Sequence, residues 1–382
     1  MRQITVPYGR QFIDNEDSKT VISALKKNLI TTGDFVKKFE EEIKKIVKSK
    51  YALSCSSGTA GLHLAIKAGG LKTGDKVIVP IINFVATTNI LKEQGLKIYY
   101  ADVDEVTGQV TPEKIKDCIK LNKLKNIKAI FTMYLGGIPY NLNEFYKLKK
   151  KLNCLIIEDA CHAFGSAYKI DKKLFKVGSA KHSDMCIFSF HPLKTITTGE
   201  GGMLTTNKKF FFDRANLCRS HGIKRSSSHW KYDVVVNGLN YRLSDINCAL
   251  GISQLKKIRI FLKKRKKLAK LYCKYFSKFK NIKVVDNYND LSCWHLFRIK
   301  INFKKIKISK NELFNFFLNK KIMLQQHYIP LFKFTNYKSI KSKNYPEAKK
   351  YFNSVISLPI YFSLSYKNQL KIIKILKKIL DN

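Results

Sequence analysis

Several common features of protein sequences are missing here, and each absence excludes a class. No apolar run approaches the roughly 18 residues that a membrane-spanning helix needs, so we expect no membrane partner. The nine cysteines form no C-x-x-C pair and have no regular spacing, which is typical of reduced thiols in a cytosol, and no metal site is predicted. Residues 1–5 show no signal-peptide pattern and lead directly into sequence typical of a folded domain. We therefore expect a cytoplasmic protein.

Acidic residues are also scarce. Asp and Glu total 28 against 72 Lys and Arg, which gives a formal net charge of +44 at pH 7. Such a charge is compatible with a nucleic-acid-binding protein. However, the excess is almost all lysine and is spread along the chain, as at 147–151 and 263–267, whereas DNA readers concentrate charge on one element and favour arginine at base edges. We expect no specific nucleic-acid partner, only nonspecific binding at low salt and a surface that attracts phosphorylated or nucleotide-linked substrates.

The order of segments predicts an α/β fold. Between residues 76 and 206 short apolar, strand-like segments alternate with helical ones. Predicted strands are 76–80, 96–102, 127–134, 154–159, 185–190 and 202–206, and predicted helices are 14–28, 84–94, 112–121 and 143–152. Such alternation favours a largely parallel sheet covered on both faces, with ligands at the carboxyl ends of the strands.

The last third of the chain has a different pattern. Two long helices, 244–260 and 262–276, are predicted as one broken element, and a smaller α+β region follows. Its predicted elements are a strand at 294–301 and helices at 310–319 and 368–380. We therefore divide the chain into a large α/β domain, 1–255, and a small α+β domain, 256–382. The last helix is basic and amphipathic, and packing on the small domain with a solvated lysine face is favoured over a membrane surface.

Two residues at predicted strand ends suggest a pyridoxal phosphate site. Asp159 ends the apolar strand 154–159, and Lys194 follows the strand 185–190, shortly before the segment 199–202 with its three glycines. The cofactor needs a lysine amine for a Schiff base and a carboxylate against its pyridine nitrogen. A lone lysine in so basic a chain is usually a solvated charge, so the interpretation depends on the surrounding motifs.

Two further segments are compatible with such a site. Small hydroxyl residues and glycines at 54–62 precede a helix, and their bare N–H groups at its positive end would form a phosphate cup. The alternative for this segment is an ordinary Ser or Thr helix cap. Phe84 lies near another strand end and could stack on a pyridine ring, although a single phenylalanine is more often a core residue.

Six motifs in order resemble the DegT/StrS-type sugar aminotransferases, a family with the fold-type I architecture of aspartate aminotransferase. The matching stretches are 56–59, 84–87, 158–163, 189–194, 199–202 and 238–245, and 327–331 continues the match. The resemblance implies an enzyme that uses pyridoxal 5'-phosphate. It implies that Lys194 attaches the cofactor and moves a proton, that Asp159 pairs with the ring nitrogen, that Phe84 stacks on the ring, and that His162 lies near the phenolic oxygen. The residues implied to bind the cofactor phosphate are Ser57, Gly58, Thr59 and Ser189.

The resemblance also extends to partners and substrate. Asn240 would reach the phosphate of a neighbouring subunit, so the active unit would be a homodimer with shared sites; the alternative is that Asn240 caps the following helix in its own chain. His327 and Tyr328 are expected to bind substrate. The substrates implied are a nucleotide sugar and L-glutamate.

The stretch 189–202 looks most like enzymes of the pseudaminic acid pathway. These aminate C4 of a UDP-linked 4-keto-6-deoxy-N-acetyl sugar, giving a product of the UDP-4-amino-4,6-dideoxy-N-acetyl-altrosamine type for surface polysaccharide or flagellar glycan. Another nucleotide sugar, such as a dTDP-4-keto or 3-keto hexose, and a non-catalytic regulatory role remain as alternatives. The loop 223–236 is a predicted substrate determinant.

Overall fold

The computed structural model describes residues 4–228 and 230–380. The helices are α1 (Asn15–Leu25), α2 (Asp34–Val47), α3 (Gly58–Ala68), α4 (Val85–Glu93), α5 (Pro112–Leu121), α6 (Leu142–Leu152), α7 (Lys209–Arg219), α8 (Asp245–Phe276), α9 (Lys310–Asn319), α10 (Pro346–Ser354) and α11 (Tyr366–Leu380). The strands are β1 (Tyr51–Cys55), β2 (Lys76–Pro80), β3 (Lys97–Ala101), β4 (Ile127–Met133), β5 (Leu155–Asp159), β6 (Ala167–Ile170), β7 (Lys173–Lys176), β8 (Met185–Ser189), β9 (Gly202–Thr206), β10 (Ile223–Arg225), β11 (Tyr232–Val234), β12 (Ile282–Val284), β13 (Phe297–Ile301) and β14 (Val355–Leu358).

A large sheet organises the first part of the chain. Within the described residues its strand order is β1-β9-β8-β5-β4-β2-β3. Neighbouring strands in the series β3, β2, β4, β5 and β8 are parallel, whereas β9 runs antiparallel to both β8 and β1. The predicted α/β fold with a largely parallel sheet is confirmed. The carboxyl ends of β4, β5 and β8 therefore meet at one edge, which is where ligands bind in such sheets.

Helices cover both faces of this sheet because its strands are apolar on both sides. In β8, Cys186 and Phe188 pack in the cluster with α2 and α8, while Met185 and Ile187 pack in the cluster with α3 and α7. The side chains alternate because successive residues of a strand point to opposite faces. Ser189 is the last residue of β8, at the edge of the sheet where Asp159 ends β5.

Helix α8 is one uninterrupted helix of 32 residues, so the predicted break between 260 and 262 is wrong. No proline lies near this position, and Phe261 is buried within the helix face rather than in a connection. The first half of α8 packs in the cluster of the large sheet, and the second half packs in the cluster of the C-terminal region. The helix passes through the predicted boundary at residues 255 and 256, and the division into two domains remains a prediction.

The C-terminal region contains a small antiparallel sheet, β12-β13-β14. The strand predicted at 294–301 begins only at Phe297. Helix α11 places Ile372, Ile373 and Leu376 in the same core as this sheet, which confirms that the basic amphipathic helix packs on the C-terminal region. None of the helices in residues 4–228 and 230–380 combines the length and hydropathy needed to cross a bilayer.

A segment before α1, residues 5–12, crosses the molecule as an N-terminal strap. Val6 pairs with Ile322, and its carbonyl accepts a hydrogen bond from the N–H of Met323 at 2.9 Å. The carbonyl of Tyr8 accepts from the N–H of Ile360 at 3.2 Å. The strap is thus held by residues that lie more than 300 positions further along the chain.

Candidate active site

A cavity of about 520 Å³ lies where β5 and β8 end, between the large sheet, the strap and the C-terminal region. Every site residue predicted from the sequence except Asn240 lines it. These residues are Ser57, Gly58, Thr59, Phe84, Asp159, His162, Ser189, Lys194, His327 and Tyr328. The strand-end rule therefore located the cavity correctly from the sequence.

The two acids at the end of β5 face opposite sides of the sheet. Asp159 lines the cavity, and its Oδ1 accepts a hydrogen bond from the N–H of Cys161 at 3.1 Å. Glu158 lies away from the cavity and accepts a hydrogen bond from the hydroxyl of Tyr134. Burial raises the pKa of Glu158 to about 7, although Tyr134 and other donors oppose the shift. Of these two acids, only Asp159 is therefore placed to interact with a ligand in the cavity.

Lys194 follows β8 in a tight turn, in which its N–H donates to the carbonyl of His191 at 2.9 Å. Burial lowers the pKa of the Lys194 amine from its ordinary value of 10.5, and the nearby Cys161 and Asp159 oppose that shift. In turn, burial raises the pKa of Asp159, while Cys161 and the charge of Lys194 hold it down. The site thus pairs an amine shifted toward its neutral, nucleophilic form with a buried carboxyl group.

The N-terminus of α3 is the segment predicted to bind a phosphate. Ser57 caps the helix, and its Oγ accepts the N–H of Ala60 at 3.0 Å. The N–H groups of Gly58 and Thr59, in the first turn, have no acceptor within the helix. Gly58 is closely packed, since a Cβ there would lie 3.0 Å from the Cβ of Ser189 and 3.0 Å from the Sγ of Cys161. The helix cap is therefore confirmed, and phosphate binding at the same helix end remains a prediction.

Phe84 is not a core residue. Its side chain is 50% exposed at the start of α4, and its ring lies 5.7 Å from that of Tyr328 across the cavity wall. A large apolar ring at the wall of a ligand cavity favours the stacking role over the alternative of core packing.

His162 is held from two sides. It is 2% exposed, its Nδ1 accepts the N–H of Gly136 at 3.4 Å, and its Nε2 lies 2.9 Å from the hydroxyl of Tyr328. Burial lowers the pKa of His162 well below its usual range. His327 is also buried, pairs through Nδ1 with the hydroxyl of Ser357 at 2.9 Å, and has a pKa lowered to about 3 by burial. Both imidazoles are therefore neutral hydrogen-bonding groups near pH 7.

Sequence reasoning missed several residues of the cavity wall. They are Tyr8, Cys161, His191, Glu200, His295, Gln325 and Gln326, among others. His295 was placed in a predicted strand that in fact begins two residues later. A histidine inside an otherwise apolar run was the available signal at that position. Tyr8 gave no signal, because its place in the wall depends on pairing of the strap with distant residues.

Asn240 lies outside the cavity of its own chain. Its side chain is exposed, and its Oδ1 accepts the N–H of Arg242 at 3.4 Å. It does not cap α8, because Ser244 does so through a hydrogen bond from the N–H of Asn247 at 3.2 Å. The alternative that Asn240 is a helix cap is therefore wrong. Asn240 ends the segment that contains β10 and β11, whose exposed side chains include Trp230, Tyr232, Val234, Val235, Val236 and Leu239; His229 of this segment lies outside the described residues.

The residues present fit pyridoxal phosphate. The cavity offers an amine, a buried carboxyl group, a helix N-terminus for a phosphate and an exposed aromatic ring, which are the groups that the cofactor requires. A metal ion needs a cluster of donor side chains. Among residues 4–228 and 230–380, no group of three or more His, Cys, Asp or Glu side chains is arranged to hold one.

Comparison with known proteins gives a consistent result. The model of the DegT/DnrJ/EryC1/StrS aminotransferase family matches residues 11–377. The chain is 36% identical, over 94% of its length and 94% of the relative, to the UDP-4-amino-4,6-dideoxy-N-acetyl-beta-L-altrosamine transaminase of Campylobacter jejuni serotype O:2. It is 31% identical, over 94% of both chains, to the GDP-perosamine synthase of Escherichia coli O157:H7.

A solved structure agrees in fold. The Helicobacter pylori aminotransferase PseC, involved in the biosynthesis of pseudoaminic acid, superposes with a TM-score of 0.88 at 27% identity, and the match covers 98% of this chain and 99% of that one. The predicted fold-type I architecture, the aminotransferase activity and the cofactor are confirmed. The chain therefore belongs to the DegT/DnrJ/EryC1/StrS family and is a pyridoxal phosphate-dependent sugar aminotransferase.

Proposed function

We propose that this enzyme transfers the amino group of L-glutamate to C4 of a UDP-linked 4-keto-6-deoxy-N-acetyl sugar, in the biosynthesis of a surface polysaccharide or flagellar glycan. The convergence of Lys194 and Asp159 in one cavity carries the assignment of aminotransfer. The likeness to the Campylobacter jejuni transaminase and to PseC supports the choice of sugar. A non-catalytic role is disfavoured because both reactive groups are present. The expected cytoplasmic location remains a prediction.

The proposed chemistry divides between two residues. When bound, pyridoxal phosphate supplies an electron-withdrawing ring that stabilises negative charge on the carbon next to the transferred nitrogen. Lys194 attaches the cofactor and, once released, its neutral Nζ takes and returns the proton of that carbon. The lowered pKa of Lys194 supports this role, because an ammonium group cannot accept a proton. Asp159 holds the ring nitrogen through its negative charge.

The other residues bind and orient. Phe84 covers one face of the cofactor ring, and His162 lies beside its phenolic oxygen. Tyr328 and His327 are proposed to contact the substrate. The cofactor phosphate is proposed to bind at the α3 N-terminus through Ser57, Gly58, Thr59 and Ser189. Support comes from their positions around one cavity and from the unpaired N–H groups of the first turn.

We propose a homodimer in which Asn240 completes the phosphate site of the partner subunit. Its exposure outside its own cavity supports this role, as does the exposed apolar surface of the segment around β10 and β11. An exposed apolar patch of this kind is typical of protein interfaces. The loop 223–236, predicted to determine the substrate, belongs to this segment and would then act on the neighbouring site.

The decisive experiment offers purified enzyme, pyridoxal phosphate and L-glutamate to a panel of UDP-, dTDP- and GDP-linked keto sugars. We expect amination of the UDP-linked 4-keto-6-deoxy-N-acetyl sugar at C4, identified by mass spectrometry and NMR of the product, and none with the Lys194→Ala variant. Amination of a different sugar would contradict the proposed substrate but would be consistent with the aminotransferase activity. The GDP-linked arm is included because a relative of 31% identity is a GDP-perosamine synthase.

A further inference from the structure

The ring of His295 packs against that of His162 in a tilted arrangement and has no role in the chemistry above. The two ring centres are 4.3 Å apart with 40° between the planes. His295 is 7% exposed, lines the cavity, and its Nδ1 has no hydrogen-bond partner among the described residues. Burying a ring nitrogen without a hydrogen-bond partner lowers the stability of the fold, so hydrogen bonding through Nδ1 does not account for the presence of a histidine here.

The backbone around His295 is also held at a cost. Trp294 adopts a φ of +51°, in the left-handed region that a bulky residue rarely occupies. The buried guanidinium of Arg265 donates to the carbonyls of Trp294 at 3.3 Å and of His295 at 3.2 Å, and also to that of Ile360 at 2.9 Å. Strained backbone that surrounding groups maintain is concentrated at functional sites.

The hydrogen bonds of His162 indicate what this arrangement achieves. A backbone N–H can only donate, so the contact from Gly136 makes Nδ1 of His162 an acceptor. The single proton of the neutral imidazole is then on Nε2, which donates to the oxygen of Tyr328 at 2.9 Å. The hydroxyl proton of Tyr328 is consequently left for an oxygen of a ligand. Its direction depends on the plane of the His162 ring, and His295 covers one face of that ring.

We propose that His295 is a positioning residue, which fixes the plane of the His162 ring by packing against it and thereby directs the Tyr328 hydroxyl toward an oxygen of the bound cofactor, in addition to the substrate contact proposed for Tyr328 above. The inference depends on the assignment of the cavity as the cofactor site and not on the identity of the sugar. It predicts that the shape of the His295 ring matters and that its nitrogens do not.

The test measures the dissociation constant and absorbance maximum of pyridoxal phosphate in the absence of any sugar, so its result is independent of the substrate panel. We expect His295→Ala to weaken cofactor binding about tenfold, and His295→Phe, which keeps a flat ring without nitrogens, to stay within about threefold of wild type. In a His162→Ala background, His295→Ala should change the constant less than about twofold, because its effect passes through His162. His182→Ala is the matched control, since the ring of His182 also packs against another ring, that of Phe175 at 4.9 Å between centres, but lies outside the cavity.

Three results would overturn the proposal. Equal losses in His295→Phe and His295→Ala would show that a nitrogen of His295 touches the ligand directly. Wild-type binding in His295→Ala would show that the ring has no role. Additive losses of His295→Ala and His162→Ala would show that the two residues act separately. Thermal unfolding of each cofactor-free variant verifies that a weakened variant is folded.

Discussion

Lys194 is chemically unusual among the many lysines of this chain because it is partly buried beside a carboxyl group and a thiol. We expect Lys194→Ala to abolish transamination, because Lys194 is the only lysine among the described residues that lines the cavity. The variant should still fold and bind the cofactor reversibly, since the phosphate cup and the Phe84 ring remain. Absorbance spectra, dialysis of the cofactor and assay with glutamate and keto sugar measure these effects. Lys169→Ala, an exposed lysine, is the control; turnover by Lys194→Ala at the rate of this control would disprove the assignment.

The two acids at the end of β5 allow a direct comparison. We expect Asp159→Asn to reduce kcat/KM at least about tenfold more than Glu158→Gln, a difference of 1.4 kcal/mol or more in the activation free energy. The reason is that Asp159 lines the cavity, whereas Glu158 bonds Tyr134 on the other side of the strand. Steady-state kinetics of both variants measure the difference. Equal losses would mean that the ring nitrogen is held by another group.

Glu158 should instead determine part of the pH dependence of stability. Burial raises its pKa to about 7 from an ordinary 4.5, so the native state holds this proton more tightly than the unfolded chain. The resulting stabilisation is complete below about pH 4.5 and is lost as the pH rises through 7, a change of about 3 kcal/mol at 1.4 kcal/mol per pKa unit.

We expect Glu158→Gln to remove this contribution. The difference in unfolding free energy between the variant and wild type should grow in favour of the variant by about 3 kcal/mol between pH 4 and pH 8. Urea unfolding of the cofactor-free proteins at both pH values measures it. Parallel pH dependences in the two proteins would show that the carboxyl group titrates normally in the fold.

At the scale of elements, two helix caps allow the stabilising effect of a cap to be distinguished from a role in cofactor binding. Ser57 caps α3 at the cavity, and Thr111 caps α5 outside it; each hydroxyl accepts a hydrogen bond from a first-turn N–H. We expect Ser57→Ala and Thr111→Ala each to lower the unfolding free energy by about 1 kcal/mol. Only Ser57→Ala should also weaken binding of pyridoxal phosphate, measured by fluorescence titration. Equal cofactor affinities in the two variants would contradict the proposal that the phosphate binds at the N-terminus of α3.

Elements with strong local signals were predicted from the sequence to the residue. The strands 76–80 and 202–206 and the helix 112–121 have the predicted bounds, and for the helix Pro112 in the first turn marked the start. Strand β1 was not predicted, because Tyr51–Cys55 mixes small and polar residues. Its hydrogen bonds come from β9, about 150 positions later, so no local pattern could reveal it.

The residues of the candidate site show the same contrast between local signals and long-range contacts. Asp159 and Lys194 were predicted because an apolar strand ends on the first and shortly precedes the second, and because motifs surround both. The histidine at 295 was visible in an apolar run, but its place in the cavity wall was not, since the carbonyl of His295 is held by Arg265 from a different element. Local patterns thus indicated the reactive groups, while long-range hydrogen bonds determine the residues that orient them.

At the scale of the whole molecule, the proposed dimer can be tested by complementation. If Asn240 serves the partner's phosphate site, a mixed dimer of Lys194→Ala and Asn240→Ala chains has one site with both lesions and one with neither. We expect mixing of the two weak homodimers to restore activity toward about half of the wild-type level per mixed dimer, because one of two sites is intact. Differently tagged chains allow mixed dimers to be purified and assayed. Verified mixed dimers without restored activity would place Asn240 outside the shared site.

The strap has a consequence for the order in which the protein becomes active as it is made. Tyr8 forms part of the cavity wall, yet its segment is held by Ile322, Met323 and Ile360. The ribosome synthesises residue 8 early and residue 360 late, so this wall cannot close until nearly the whole chain has emerged. A growing chain already carries Lys194 and Asp159 while the wall is unfinished. Synthesis itself therefore delays the closed cavity until the C-terminal region has folded against the strap.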